Sequence, residues 1–119
     1  MNFLDAINAH VMWKVRLQKY LNGTSEENLD PEHICKDNQC PLGKWIYGNS
    51  ERYNKSPVFE EVRTKHAEFH ITASKIVQLV NTDRKTEAEE ILHGDYTELS
   101  RRLQTHIRSM ARDLNFQSW

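Results

Sequence analysis

Apolar residues recur at three- and four-residue intervals over three long stretches of this chain, the spacing that lines one face of an α-helix. In the middle stretch Val62, His66, Phe69, Ala73, Ile76, Val77 and Val80 make one stripe, with His70 one turn beyond His66. Ser56 as N-cap, Pro57 at the first helical position and Glu60 and Glu61 in the first turns mark its start, so the pattern predicts a helix from about Pro57 to Val80. In the first stretch Phe3, Ile7, His10, Lys14, Leu17 and Leu21 share a line, with Leu4, Val11, Trp13 and Tyr20 beside it. This predicts a helix from about Asn2 to Leu21, stopped at Asn22-Gly23. The last stripe, Ile91, Leu92, Tyr96, Leu99, Leu103, His106, Met110 and Leu114, predicts a helix from about Arg84 or Glu87 to about Asn115. Thr86 and Glu89 are spaced as a capping box at its start, and Gly94 marks a kink or a close contact within it.

Between the first two stripes the period is lost. Residues 23 to 38 are rich in turn formers and acids and read as a loop with a short turn at Pro31 to Ile34. Cys40-Pro41-Leu42-Gly43-Lys44-Trp45-Ile46-Tyr47-Gly48 then reads as a short helix, with Cys40 as the cap residue facing free backbone N–H groups. Gly43 permits close approach of another backbone, and Trp45 is a large apolar anchor. The expected fold is all-α, a four-helix bundle of three long helices plus the short helix that carries the cysteine motif.

Length fits that plan, since 119 residues make one domain, residues 1–119, with a single core. Charge narrows the function. The net charge is −1, and the Lys and Arg residues are spread along helical stretches, so the basic patch of a nucleic-acid binder is missing. No apolar run approaches the roughly 18 residues of a membrane helix, and the first residues carry an early acid instead of a basic leader. A cytoplasmic protein without membrane insertion is expected, in which two cysteines are reduced thiols or metal ligands and not a disulfide.

The chemistry lies in the imidazoles. A neutral histidine in an apolar seam needs partners for both ring nitrogens. For a single His the ordinary answer is a carbonyl, but His66 and His70, stacked one turn apart, are better served by one shared cation. A structural zinc site takes four nitrogen or sulfur ligands. His10 from the first helix, Cys40 at the short helix start, and His66 and His70 supply three nitrogens and one sulfur; His106 is a reserve. Zn(2+) is preferred over calcium or magnesium because no carboxylate cluster is present and the thiolate favours a softer ion. The positive end of the short helix also favours the Cys40 thiolate.

Three pieces together resemble the bacterial chemoreceptor zinc-binding (CZB) domain family. His10-Val-Met-Trp13 is similar to its His-x-x-Trp element, Cys40-Pro-Leu-Gly-Lys-Trp45 to its Cys-x-Leu/Phe-Gly-x-Trp core, and His66-Ala-Glu-Phe-His70 to its His-x-x-x-His pair. The resemblance implies zinc ligands His10, Cys40, His66 and His70. It further implies a regulatory domain, often a homodimer, that responds to zinc or to oxidants such as hypochlorous acid and controls chemoreceptors or diguanylate cyclases. No receptor signalling helix or cyclase segment accompanies the motifs, and Cys35 has no counterpart in them.

Two other metal readings compete, one of them enzymatic. A metalloprotease His-Glu-x-x-His fails because the acid here, Glu68, is two residues after His66 and turns about 200° from it. A hemerythrin-like di-iron bundle needs inward carboxylates. No catalytic residue is therefore expected, and the remaining rival is a metal-independent helical interaction module whose histidines only pack.

Overall fold

The computed structural model describes residues 2–114, and these residues form helices and no strands. The three long stretches are present. Helix α1 (Phe3–Asn22) is capped by Asn2, whose side chain accepts from the Asp5 N–H, and it ends on Gly23 at φ 76°, the left-handed conformation glycine adopts without a Cβ clash. Helix α5 (Pro57–Asn81) begins with the Ser56 hydroxyl accepting from the Phe59 N–H, as expected. Its buried face is Phe59, Val62, His66, Phe69, His70, Ala73, Ile76, Val77 and Leu79, close to the expected stripe, with Val80 at its edge.

The third stretch is broken. Helices α6 (Lys85–His93) and α7 (Asp95–Asp113) meet at Gly94, where a Cβ would lie 2.9 Å from the Glu90 carbonyl oxygen. Glycine thus allows the chain to turn, and the Thr97 hydroxyl bonds the Leu92 carbonyl freed at the break (2.7 Å). The expected capping box does not form. Thr86 lies inside α6, and Arg84, at the N-cap position, directs its own N–H back to the Leu79 carbonyl at the end of α5. The buried face of α7 is Tyr96, Ser100, Leu103, Ile107, Met110 and Ala111, so Leu99 and His106 sit at its margin and not in it. Asn115, the expected end, lies outside the described residues.

Two one-turn helices punctuate the rest: α2 (Pro31–Ile34), at the expected turn, and α4 (Ser50–Tyr53), which the pattern did not reveal. Helix α3 (Pro41–Gly48) is the short helix of the cysteine motif. Helices α1, α2, α3, α6 and α7 all pack on α5, giving a bundle about 44 Å long and half as wide. One side of α1 stays uncovered. Leu4, Val11 and Val15 lie roughly a quarter turn from the buried line and are exposed, as is Met12; the first two were expected beside the core.

Candidate metal centre

Local sequence signals place each candidate side chain. Pro41 has no N–H to leave unsatisfied at the first position of α3, so Cys40 becomes its N-cap, and its sulfur accepts from the Gly43 N–H at 3.3 Å. Helix α3 is held from both sides. Trp45 meets Phe3 of α1 edge-on at 5.0 Å between ring centres and leans on Phe59 of α5 at 6.0 Å. Beneath it, the Asp37 carbonyl occupies the space where a Gly43 side chain would stand: a Cβ would meet that oxygen at 1.7 Å. The close approach expected at Gly43 is therefore made, and it fixes how the loop before Cys40 folds over α3.

The four candidates converge. One ligand atom from each of His10, Cys40, His66 and His70 lies within 4.8 Å of the others, although the residues come from α1, the start of α3 and α5. Cys40 Sγ is 3.2 Å from His66 Nε2 and 3.6 Å from His70 Nε2, and the two Nε2 atoms are 3.1 Å apart. Zinc bonds of about 2.0–2.1 Å to nitrogen and 2.3 Å to sulfur, set tetrahedrally, imply N···N edges of about 3.3 Å and S···N edges of about 3.5 Å. The observed separations have that size.

The other ring nitrogens settle which lone pairs His10 and His70 offer. His10 Nδ1 lies 2.7 Å from the Ala6 carbonyl and His70 Nδ1 lies 3.0 Å from the Ile34 carbonyl. A carbonyl only accepts, so each ring donates its Nδ1–H and carries a lone pair on Nε2. For His10 that Nε2 is buried and has no hydrogen-bond partner. His66 has no carbonyl at its Nδ1, which is buried without a partner, so its tautomer is not fixed in this way. The Nε2 lone pairs of His10 and His70, beside the His66 ring and a sulfur, make a pocket of soft donors that a cation can satisfy and an apolar group cannot. The residues fit zinc.

Burial dominates the electrostatics. The residues His10, His66 and His70 expose 3%, 0% and 5% of their surface. Loss of solvent lowers the His10 pKa from 6.5 to about 4, against the opposing pull of the Ala6 carbonyl. His66 is lowered to about 2 by burial, with repulsion from His70 and His10 adding to it. Burial lowers His70 as well, and the Ile34 carbonyl opposes. All three rings are neutral at pH 7, the form a metal needs. The expected preference of Cys40 for thiolate does not hold in the chain alone. Burial raises its pKa by more than the N–H groups of Gly43 and Leu42 lower it, so the deprotonating charge has to come from an ion.

The other candidates fall elsewhere. His106 is on the α5–α7 seam, its Nε2 3.7 Å from a Glu61 carboxylate, and Cys35 and His33 are exposed. Glu68 points to solvent beside Lys65, which removes the metalloprotease geometry, and no carboxylate joins the cluster among the described residues, which removes the di-iron donor set. The Ala6 and Ile34 carbonyls were not foreseen, because every residue has a carbonyl and no sequence signal marks one. Ser74, which bonds the Pro31 carbonyl at 2.7 Å, was also missed; its only signal is its position one turn beyond His70.

The chemoreceptor zinc-binding domain family matches residues 10–77, more than half of the chain. The chain belongs to that family. The matched CZB segment begins at His10, contains Cys40, His66 and His70, and ends within α5, so the whole cluster is inside it while α6 and α7 lie beyond it. Comparison with curated proteins and with solved structures gives no match. A CZB domain is a regulatory zinc-binding unit, and the His10, Cys40, His66 and His70 cluster here could hold its zinc. No helix among the described residues is long and apolar enough to cross a membrane.

Proposed function

We propose that His10, Cys40, His66 and His70 ligate one zinc ion and that the chain, acting as one regulatory domain, converts occupancy of that site into a change of shape. The observation that carries this reading is the buried, partnerless Nε2 of His10 in a cluster with the Cys40 sulfur and the His66 and His70 imidazoles, brought in from other helices. Four protein ligands leave no position for a substrate, so the ion holds a conformation and does not act in catalysis.

Family membership supports the rest of the reading: cytoplasmic signalling, control of a chemoreceptor or a diguanylate cyclase, and a homodimer. Response to oxidant is supported further by access. A groove of about 930 Å³ between α1 and the segment 27–40 opens on Cys40 and His70, and a second of about 420 Å³ opens on Cys40 and His10. Hypochlorous acid reaching the thiolate would leave a sulfenic acid and release chloride, and a sulfenic acid is a poorer zinc ligand.

Elemental analysis of protein purified without added metal is expected to find one zinc per chain, with the mass in solution that of two chains. Cys40→Ala is expected to lose most of that zinc and any response to oxidant. A metal-free, fully folded wild-type chain indifferent to chelator defeats the proposal.

A further inference from the structure

The segment 24–39 is held at its two ends, where the Thr24 N–H donates to the Lys19 carbonyl and where Asp37 lies against Gly43 and accepts from the Tyr47 hydroxyl at 2.7 Å. Between them it is held less firmly. Its only helix, α2, is a single turn, which has no stability of its own, and the ion pair that joins the segment to α1 between those ends, Arg16–Glu27, lies in solvent where such pairs contribute little. Leu29 and Ile34 bury their side chains, which ties the segment down but does not fix its rotation.

What fixes rotation is a pair of hydrogen bonds from α5. His70 Nδ1–H donates to the Ile34 carbonyl at 3.0 Å, and one turn later the Ser74 hydroxyl donates to the Pro31 carbonyl at 2.7 Å. Residues four apart on α5 thus grip carbonyls three apart on α2, at both ends of its single turn. One bond alone would leave α2 free to pivot about it. Two hold the Ile34 carbonyl, one of the unsatisfied carbonyls of a helix end, in line with the His70 ring.

We infer that Ser74 is a positioning residue of the metal centre: it holds α2 so that the Ile34 carbonyl keeps the His70 ring in the tautomer and orientation that present Nε2 to the ion. This rests on the zinc reading above and adds to it a residue outside the four ligands. It also makes α2, which lines the groove leading to Cys40, the piece of surface most directly tied to the ligand geometry.

The test compares Ser74→Thr with Ser74→Val in the full chain, two side chains of one shape that differ in the hydroxyl. Zinc affinity is read by competition with a chromophoric chelator, and the thermal stability of each metal-free chain is read alongside. Threonine is expected to keep affinity within about twofold of wild type and valine to lose about tenfold, the lower end of the range for outer-shell partners of a metal-bound histidine. The metal-free valine chain is expected to melt slightly below the threonine chain, as loss of one hydrogen bond requires. In the zinc-loaded valine variant the Ile34 and Cys35 amides, which donate to Asp30 and Pro31, are expected to exchange faster. Equal zinc affinity for threonine and valine overturns the inference, whatever happens to stability or exchange. Ser74→Ala, which adds no branched carbon, repeats the comparison if valine disturbs α5. A wild-type chain that binds no zinc instead defeats the metal reading itself, and this inference with it.

Discussion

Among single residues, Gly43 is the one whose replacement the geometry forbids most plainly. The Asp37 carbonyl fills the place of its side chain, and backbone cannot be moved aside by a rotamer change. Gly43→Ala is expected to displace either the loop at Asp37 or the first turn of α3. Overpacking costs typically 1–3 kcal/mol, and both displaced segments adjoin Cys40, so stability and zinc affinity should fall together in thermal melts and zinc titrations. An alanine variant with wild-type zinc affinity would mean that the Cys40 turn is not seated on that contact. The residue scale is also where the sequence was most legible. His10, His66 and His70 declare themselves as polar groups on apolar stripes, and Cys40 as a cap before proline. The carbonyls of Ala6 and Ile34, which set the tautomers of two of those rings, have no side-chain signature to read.

At the scale of elements, α3 is fastened by the buried Leu42 and Ile46 and by Trp45, which touches both long helices, α1 and α5. Trp45→Ala removes its contacts with Phe3, Tyr53 and Phe59, and a loss of about 3 kcal/mol is expected for truncating a large aromatic that is not wholly buried. Leu103→Ala, in the α5–α7 interface, is expected to cost a similar amount, since Leu103 is fully buried. The two should differ in zinc affinity: the tryptophan variant loosens the helix bearing the sulfur and binds more weakly, whereas the leucine variant keeps its affinity. Equal affinity in both would show that Leu42, Ile46 and the ligands hold α3 in place without Trp45. Helix-scale legibility followed the strength of each local signal. Ser56-Pro57 and Asn22-Gly23 gave correct ends because a cap or a left-handed residue acts where it stands. The start of α6 falls at the first of the two expected places, beside Arg84, and only the capping box fails, because the connection from α5 is too tight for Thr86 to serve as a cap: Arg84 is already closing the previous helix. Helix α4, one turn long, is below the length at which periodicity carries information. The break at Gly94 was signalled, but whether glycine kinks a helix or divides it depends on packing between α5, α6 and α7 that a single strand of sequence does not contain.

For the molecule as a whole, the cluster makes stability depend on both protons and metal. In the metal-free chain His10 and His66 have folded pKa values of about 4 and 2, below the 6.5 of the unfolded state, and His70 is displaced in the same direction. Below pH 6.5 the unfolded chain therefore binds protons that the folded chain refuses, and stability must fall as pH drops. At pH 5 the penalty from His10 and from His66 is on the order of 2 kcal/mol each, a large part of the 5–15 kcal/mol that holds a typical domain together. Cys40 acts at the other end. Its folded pKa is raised, so its contribution is present below the unfolded thiol pKa and is lost as pH rises past it, and the cluster therefore favours the folded metal-free chain most at pH values between the two limits. Zinc binds the folded chain preferentially, and at a free concentration a thousand times its dissociation constant it adds about 4 kcal/mol. Melting curves of chelator-treated protein from pH 8 to pH 5 should show a steep fall on the acid side, and zinc added at pH 7 should raise the midpoint by about 15 °C for a chain of this size. A metal-free chain whose midpoint is flat across pH 6.5 to 5 would show that these imidazoles are not buried in their neutral form, and the pocket of donors on which the zinc site depends would go with them.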